Sequence, residues 1–351
     1  MIERTAPRIH TLLPALVCLL AAILFGASTP IAKALLTSVG PFTLAGLLYL
    51  GGALGVLPFA FRGGSPELRR DRRQHRMLAL AVLFGGGLGP VLLLFGLRAA
   101  PAASVALWLN VETVATAIIA WGLFREHLDR RTVLAAAVVL AGGVLLAAPE
   151  GAAGWRAGTL VALACVCWGL DNNLTALVSG YTPAQTTVIK GIGAGTVNLA
   201  IGLSVEGHVP PLTSALIALV VGAFSYGFSI MFYISGAQQL GASRSQLLFS
   251  TSPFVGMLLA WFMFGESATI VQFGAAGLMV AGIALMLTSR HEHEHTHEVL
   301  SHTHEHRHDD GHHLHVHPGL PAWVRHTHAH AHDPLTHSHP HAPDLHHRHD
   351  H

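Results

Sequence analysis

Two sets of residues in this sequence have the types and spacing to do chemistry. The first opens at His291 with HEHEHTHEVLSHTHEHRHDDGHHLHVH, where histidine stands at nearly every second position. Neutral imidazole ligates zinc, nickel, copper and cobalt, and neighbouring histidines on a loose chain can chelate one ion. The candidate ligands are His291, His293, His295, His297, His302, His304, His306, His308, His312, His313, His315 and His317. No single spacing is imposed, so the expectation is several divalent ions bound with little selectivity. The second set is sparse: Asn110 and Glu112 in LWLNVETV, Asp171, Asn172 and Asn173 in WGLDNNLT, and the lysines Lys33 and Lys190. All seven fall within apolar stretches, where a charge is costly unless paired or hydrated and is therefore a functional candidate.

The chemistry open to that second set is binding. Glu112 can hold a cation or a substrate amine, or carry a proton; it can equally be a structural partner for Lys33 or Lys190. The Asp-Asn-Asn triplet can line a transport site, or it can cap or kink a helix, because these side chains compete for backbone hydrogen bonds. Lys33 lies near the outer end of its apolar stretch and is expected to snorkel to the interface. Lys190 lies deeper and is the better candidate for attracting an anionic group.

The elements that must position these residues are membrane spans. Of 351 residues 51% are hydrophobic and only 11% charged, with net charge +1 and mean hydropathy +0.49. A soluble chain carries about a quarter charged residues, so this one cannot clothe a core in polar side chains. Gly, Pro and charge divide residues 12–288 into ten apolar runs of bilayer-spanning length, near 12–36, 41–61, 77–97, 102–124, 131–148, 157–178, 183–203, 212–234, 243–264 and 269–288. GGGLGP at 85–90 should kink or unwind the third. The first run is too long for a signal-peptide core and FGASTP is a poor cleavage site, so it reads as a span. Cys165 and Cys167, two apart, point to different helix faces and do not make a chelating pair. Arginines cluster at 62–76, at 125–131 and near both ends of the body, all on one side if the N-terminus is cytoplasmic. The expectation is a multi-pass protein of a bacterial inner membrane with both termini cytoplasmic.

The chain also repeats itself. The stretches from Leu107 and from Leu247 align without a gap at an offset of 140, matching Ala120 with Ala260, Trp121 with Trp261, Phe124 with Phe264, Glu126 with Glu266 and Gly142 with Gly282. A weaker echo links LFGASTP at 24–30 with CWGLDNN at 167–173. Five spans per half put the halves in opposite orientations, the architecture of alternating-access transporters. Glu126 and Glu266, closing matched helices, read as caps or gates of the fold.

At FGASTPIAK (25–33), WGLDNN (168–173), GASRSQLLFSTSPFVGMLLAWFMFGE (241–266) and the closing AGGVLL and AGIALM, the body resembles the EamA-type members of the drug/metabolite transporter superfamily. The resemblance implies ten helices around a central cavity, and export or uptake of a small solute. In one place the chain departs from the pattern: where the second half has Ser252-Pro253, the first has Glu112-Thr113, an acid in place of a helix break.

The expected fold is therefore an all-α integral membrane protein, ten transmembrane helices as two inverted five-helix repeats, followed by a disordered tail. Its parts are a cytoplasmic N-terminus (1–11), a first repeat (12–148), a linker (149–156), a second repeat (157–288) and the histidine-rich tail (289–351). That tail holds 23 of the 27 histidines; only His10, His75, His127 and His208 precede it. No constellation of nucleophile, base and acid is readable, so no enzyme is expected and no cofactor is required. The G-x-G patterns lie inside apolar helices and do not fit phosphate binding. The arginines are explained by topology, which excludes nucleic acid as a partner. The expected partners are the lipid bilayer, a small-molecule solute and divalent metal ions bound by the tail. Gly/Ala-rich faces would also permit a homodimer. The tail serves an organic-solute carrier as metal buffer or regulator, collects the cargo of a metal carrier, or belongs to a membrane-anchored metal store.

Overall fold

A computed structural model describes residues 8–62, 72–124, 130–178, 181–240, 245, 248–288, 291–297, 300–306, 326–332 and 335–341. Glu126, residues 241–244 of the GASR stretch, and His308, His312, His313, His315 and His317 lie outside them. The chain divides into two units, residues 1–289 and 290–351.

Every regular element among the described residues of the first unit is a helix. Its helices are α1 (Arg8–Gly26), α2 (Ser28–Leu35), α3 (Pro41–Arg62), α4 (Arg72–Ala81), α5 (Gly89–Ala99), α6 (Ala102–Trp108), α7 (Val111–Phe124), α8 (Arg130–Ala147), α9 (Gly151–Ala176), α10 (Pro183–Val205), α11 (Leu212–Gly222), α12 (Ser229–Leu240), α13 (Ser252–Phe264) and α14 (Ile270–Thr288). They form seven apolar segments long enough to cross a membrane, with α13 and α14 as shorter apolar helices. One segment, Arg130–Ala176, has 47 residues. It is interrupted by a 3-10 turn at Ala148–Glu150 and by Gly151 at φ 59°, a conformation that favours glycine.

The two halves are threaded through each other. α3 packs most extensively on α10, α8 on α14, α6 on α13, α1 on α12, and α5 on α9. Every one of these pairs takes one helix from each half. Small residues make the closest pair possible: a Cβ on Gly191 or Gly195 of α10 would press into the α3 backbone at Tyr49 and Leu50. Without a hydrophobic drive between helices in lipid, such close approach is what holds spans together.

Irregular segments recur at matched positions. The glycine run expected to kink the third span forms a π-helix, Val82–Leu88, between α4 and α5; a second, Ala223–Phe228, starts 141 residues later between α11 and α12. Turns at Leu109–Asn110 and Ser250–Thr251 break the matched pair of spans ending in α7 and α13. The expectation that an acid replaces the first of these breaks is thereby corrected. A break exists without proline, because the Asn110 side chain donates to the Leu107 carbonyl at 3.0 Å and takes over an acceptor of the helix ladder. The weaker echo does not carry over into backbone shape: the first span breaks at Ala27, next to Ser28 and Pro30, whereas α9 runs unbroken through residues 167–173.

Two carboxylates tie together one end of the bundle. Glu206, following α10, accepts from the Phe42 and Thr43 amides at 2.8 and 3.2 Å, at the start of α3. Glu266, following α13, accepts from Ala102 and Ala103 at 2.9 and 3.1 Å, at the start of α6. Each supplies acceptors to orphan N–H groups at the positive end of a helix dipole. Glu266 is thus a cap, as its matched position implied, while nothing in the pattern pointed to Glu206. Lys33 reaches the same end of the bundle. Its Nζ donates to the Leu97 and Ala100 carbonyls, the latter at 2.9 Å, where α5 leaves its last acceptors open.

In the second unit four strands pair in antiparallel fashion: β1 (His291–His297) with β4 (Leu335–His341), and β2 (Leu300–His306) with β3 (His326–His332). This differs from a tail without regular structure. Histidine alternating with Thr, Glu, Ser or Ala is also the period-two pattern of a strand, which composition alone conceals. The register sets His291, His293 and His295 opposite His341, His339 and His337, and His302, His304 and His306 opposite His330, His328 and His326.

The clasps give a direct expectation. Glu206→Ala and Glu266→Ala should each destabilise the protein by about 0.5–2 kcal/mol, as lost helix caps do, read as a lower melting temperature in detergent. Glu→Gln at either position should recover part of the loss, since an amide oxygen still accepts.

Candidate functional site

The polar residues of the spans converge where α7, α9, α10 and the first π-helix meet. Asp171 and Asn172, successive on α9, diverge onto neighbouring helices. Asp171 turns to α10, where Lys190 Nζ lies 2.6 Å from its Oδ1 and 2.8 Å from its Oδ2. Thr175, one turn on, adds a bond to Oδ1 at 2.9 Å. The pair is mostly enclosed, with 16% and 10% of the lysine and aspartate side chains exposed. Asn172 turns to α7 and donates to Glu112 Oε1 at 2.9 Å, with Thr116 Oγ1 at 3.5 Å. Asn173, buried, donates to the Thr116 and Gly169 carbonyls. The helices carrying Glu112 and Asp171, α7 and α9, pack face to face.

The π-helix supplies the floor. Its wider turn releases carbonyls from the helix ladder. Gly85 accepts from Tyr49 Oη at 2.6 Å and from Trp168 Nε1 at 2.9 Å. Asn198 Nδ2 donates to both Gly86 and Gly87 at 3.2 Å. Glycine is required at 85, because a Cβ there would collide with the Asp171 carboxylate.

Of the residues singled out from the sequence, Glu112, Asp171, Asn172, Asn173 and Lys190 are brought together. Asn110 and Lys33 are not. Asn110 is buried beside Leu107 and the Met279 sulfur, and Lys33 closes the end of α5. The structural alternative for Glu112 is also resolved: Lys190 pairs with Asp171 instead. Among the described residues no Lys, Arg or His pairs with Glu112.

The sequence reading missed the aromatic side of the site. Tyr49, Trp168 and Tyr226 are single rings in apolar runs and carry no spacing signal; only the glycine run at 85–87 marked a place where side chains must approach backbone. Chemically, the arrangement offers one internally neutralised pair, Asp171 with Lys190, and one carboxylate, Glu112, held by an amide.

A sequence profile of the EamA-like transporter family matches residues 12–148 and 155–288. An uncharacterized transporter of Methanothermobacter thermautotrophicus is 26% identical over 290 residues, covering 76% of this chain and 83% of that one. A solved crystal structure superposes with a TM-score of 0.59 at 20% identity, covering 78% of this chain and 98% of the other, and shows likeness of fold.

Removing one member of the buried pair should be far worse than removing both. Asp171→Asn leaves the Lys190 ammonium uncompensated and should cost about 3–5 kcal/mol, seen as poor folded yield and a lowered melting temperature. Adding Lys190→Met to it should restore most of that stability.

Proposed function

The chain belongs to the EamA-like transporter family, and from this we propose that it is a secondary transporter that exports a small organic solute by alternating access. The observation that carries the reading is the placement of the polar site. Glu112, Asp171 and Lys190 lie inside spans, next to backbone that is broken or widened at corresponding positions of two halves. Irregular backbone at bilayer depth is tolerated where it lines a binding site.

In this reading the 47-residue segment crosses twice, since as one helix it would be about 70 Å long, and with α13 and α14 the count is ten spans. The arginine distribution places the N-terminus and the tail in the cytoplasm of a bacterial cell. The clasped end, with Lys33, Glu206 and Glu266, then faces outward.

Metal enters as a regulator. The tail is rich in imidazoles, which ligate zinc, nickel, copper and cobalt. In the body Lys190 occupies the Asp171 carboxylate, which a divalent ion would need, and among the described residues no three His, Cys, Asp or Glu side chains gather around one point.

Solute flux into proteoliposomes tests the transport role: Glu112→Gln, at equal folded protein, should lower the initial rate about tenfold or more, equivalent to roughly 1.4 kcal/mol. Wild-type flux in that variant would remove Glu112 from the mechanism. The regulatory tail is tested separately by ending the chain at Arg290. Transport should persist but lose its response to zinc or nickel, and an unchanged response would discard the regulatory role.

A further inference from the structure

Charge and ring placement at the site narrow the chemical class of the solute. Asp171 and Lys190 cancel each other, and Lys33 is engaged at the Leu97 and Ala100 carbonyls. Glu112 has an amide donor, Asn172, and no cationic partner among the described residues. Asn172 sits between Glu112 and the Thr116 hydroxyl, and Asp171, next to Asn172 on α9, is already paired with Lys190 of α10. None of these supplies an unengaged positive charge. An ionised carboxylate at bilayer depth without a counter-charge costs several kcal/mol, so Glu112 either takes up a proton or has a positive charge beside it.

The second observation is independent of charge. Five rings from several helices form a continuous chain: Tyr49 to Tyr226 at 5.3 Å between centroids, Tyr226 to Phe25 at 5.8 Å, Phe25 to Phe249 at 5.5 Å and Phe249 to Tyr233 at 4.7 Å. One end of the chain meets the polar site: Tyr49 bonds the Gly85 carbonyl, and Gly85 abuts the Asp171 carboxylate, next in sequence to the Asn172 that holds Glu112. Phe25, Tyr49, Tyr233 and Phe249 are only partly buried, so ring surface remains uncovered. Aromatic faces attract cations and accept apolar bodies.

We infer that the transported solute is a monovalent organic cation, an amine or quaternary ammonium on an aromatic or apolar body, its charge beside Glu112 and its body along the ring chain. This rests on the transporter reading above. A dication would need a second acid, and Asp171 is taken. A zwitterionic amino acid would need a cation for its carboxylate, and both lysines are engaged. A bare inorganic cation would gain little from five rings.

The test is calorimetric binding to the purified full-length protein in detergent. The probes are benzyltrimethylammonium, its neutral carbon isostere neopentylbenzene, and zwitterionic phenylalanine. The cation should bind at least about tenfold more tightly than either other probe, and Glu112→Gln should erase that preference while leaving neopentylbenzene unchanged. Tyr233→Leu should weaken the cation several-fold and Tyr233→Phe should not, because the ring face is kept. Equal or tighter binding of phenylalanine or neopentylbenzene overturns the inference, as does absence of cation binding or cation binding indifferent to Glu112→Gln. If that happens while Glu112-dependent flux of another solute persists in proteoliposomes, only the solute class falls; loss of flux as well removes the transporter reading too.

Discussion

In hydrocarbon an unpaired backbone carbonyl costs several kcal/mol, because no water is present to bond it. The π-helix at Val82–Leu88 sets such carbonyls free in the middle of a span, and much of the site's architecture answers that demand. Tyr49 from α3 and Trp168 from α9 both end on Gly85, and Asn198 from α10 ends on Gly86 and Gly87. Three helices are thereby fastened to one irregular segment. Because Trp168 is on the same helix as Asp171, and Asn198 on the same helix as Lys190, the fastening also fixes the distance across which the ion pair forms. Even a regular helix in this place would leave the Gly86 carbonyl open, because Pro90, four residues on, has no N–H to donate.

The second π-helix shows how an inverted repeat can diverge while keeping its backbone. Near Ala223–Phe228 hydroxyls do the fastening: Ser225 and Ser229 donate to Leu24 and Ala21 of α1. The site draws on both halves: Glu112 comes from the first and Asp171, Asn172 and Lys190 from the second, while the ring contacts join Phe25 and Tyr49 of the first to Tyr226, Tyr233 and Phe249 of the second.

Much of this was legible in the sequence and some was not, for physical reasons. Apolar length and the offset of 140 carry the spans and their pairing, since bilayer thickness and repeat symmetry leave direct marks. Glu112 and Asp171 stood out because charges are rare in such runs. Which carboxylate Lys190 chooses is not a local property, however. It depends on how α9 rotates against α10, and that rotation is set by glycine contacts such as Gly191 and Gly195 against α3. The clasp by Glu206 was invisible for a similar reason: a lone acid after a helix looks like any solvated end until the partner helix is in place. Asn110 looked like a neighbour of Glu112 by number and is instead spent on its own backbone.

The clasps at one end have a kinetic meaning beyond stability. In the alternating-access cycle proposed above, exposing the centre to that side would require Glu206 and Glu266 to leave the amides at the starts of α3 and α6, loosening four charge-assisted bonds. These bonds lie at the rim, where water can replace them, so the open form is penalised mildly while the passage between forms is slowed. In that cycle the rim would act as a timer, setting how long the centre stays shielded from that face.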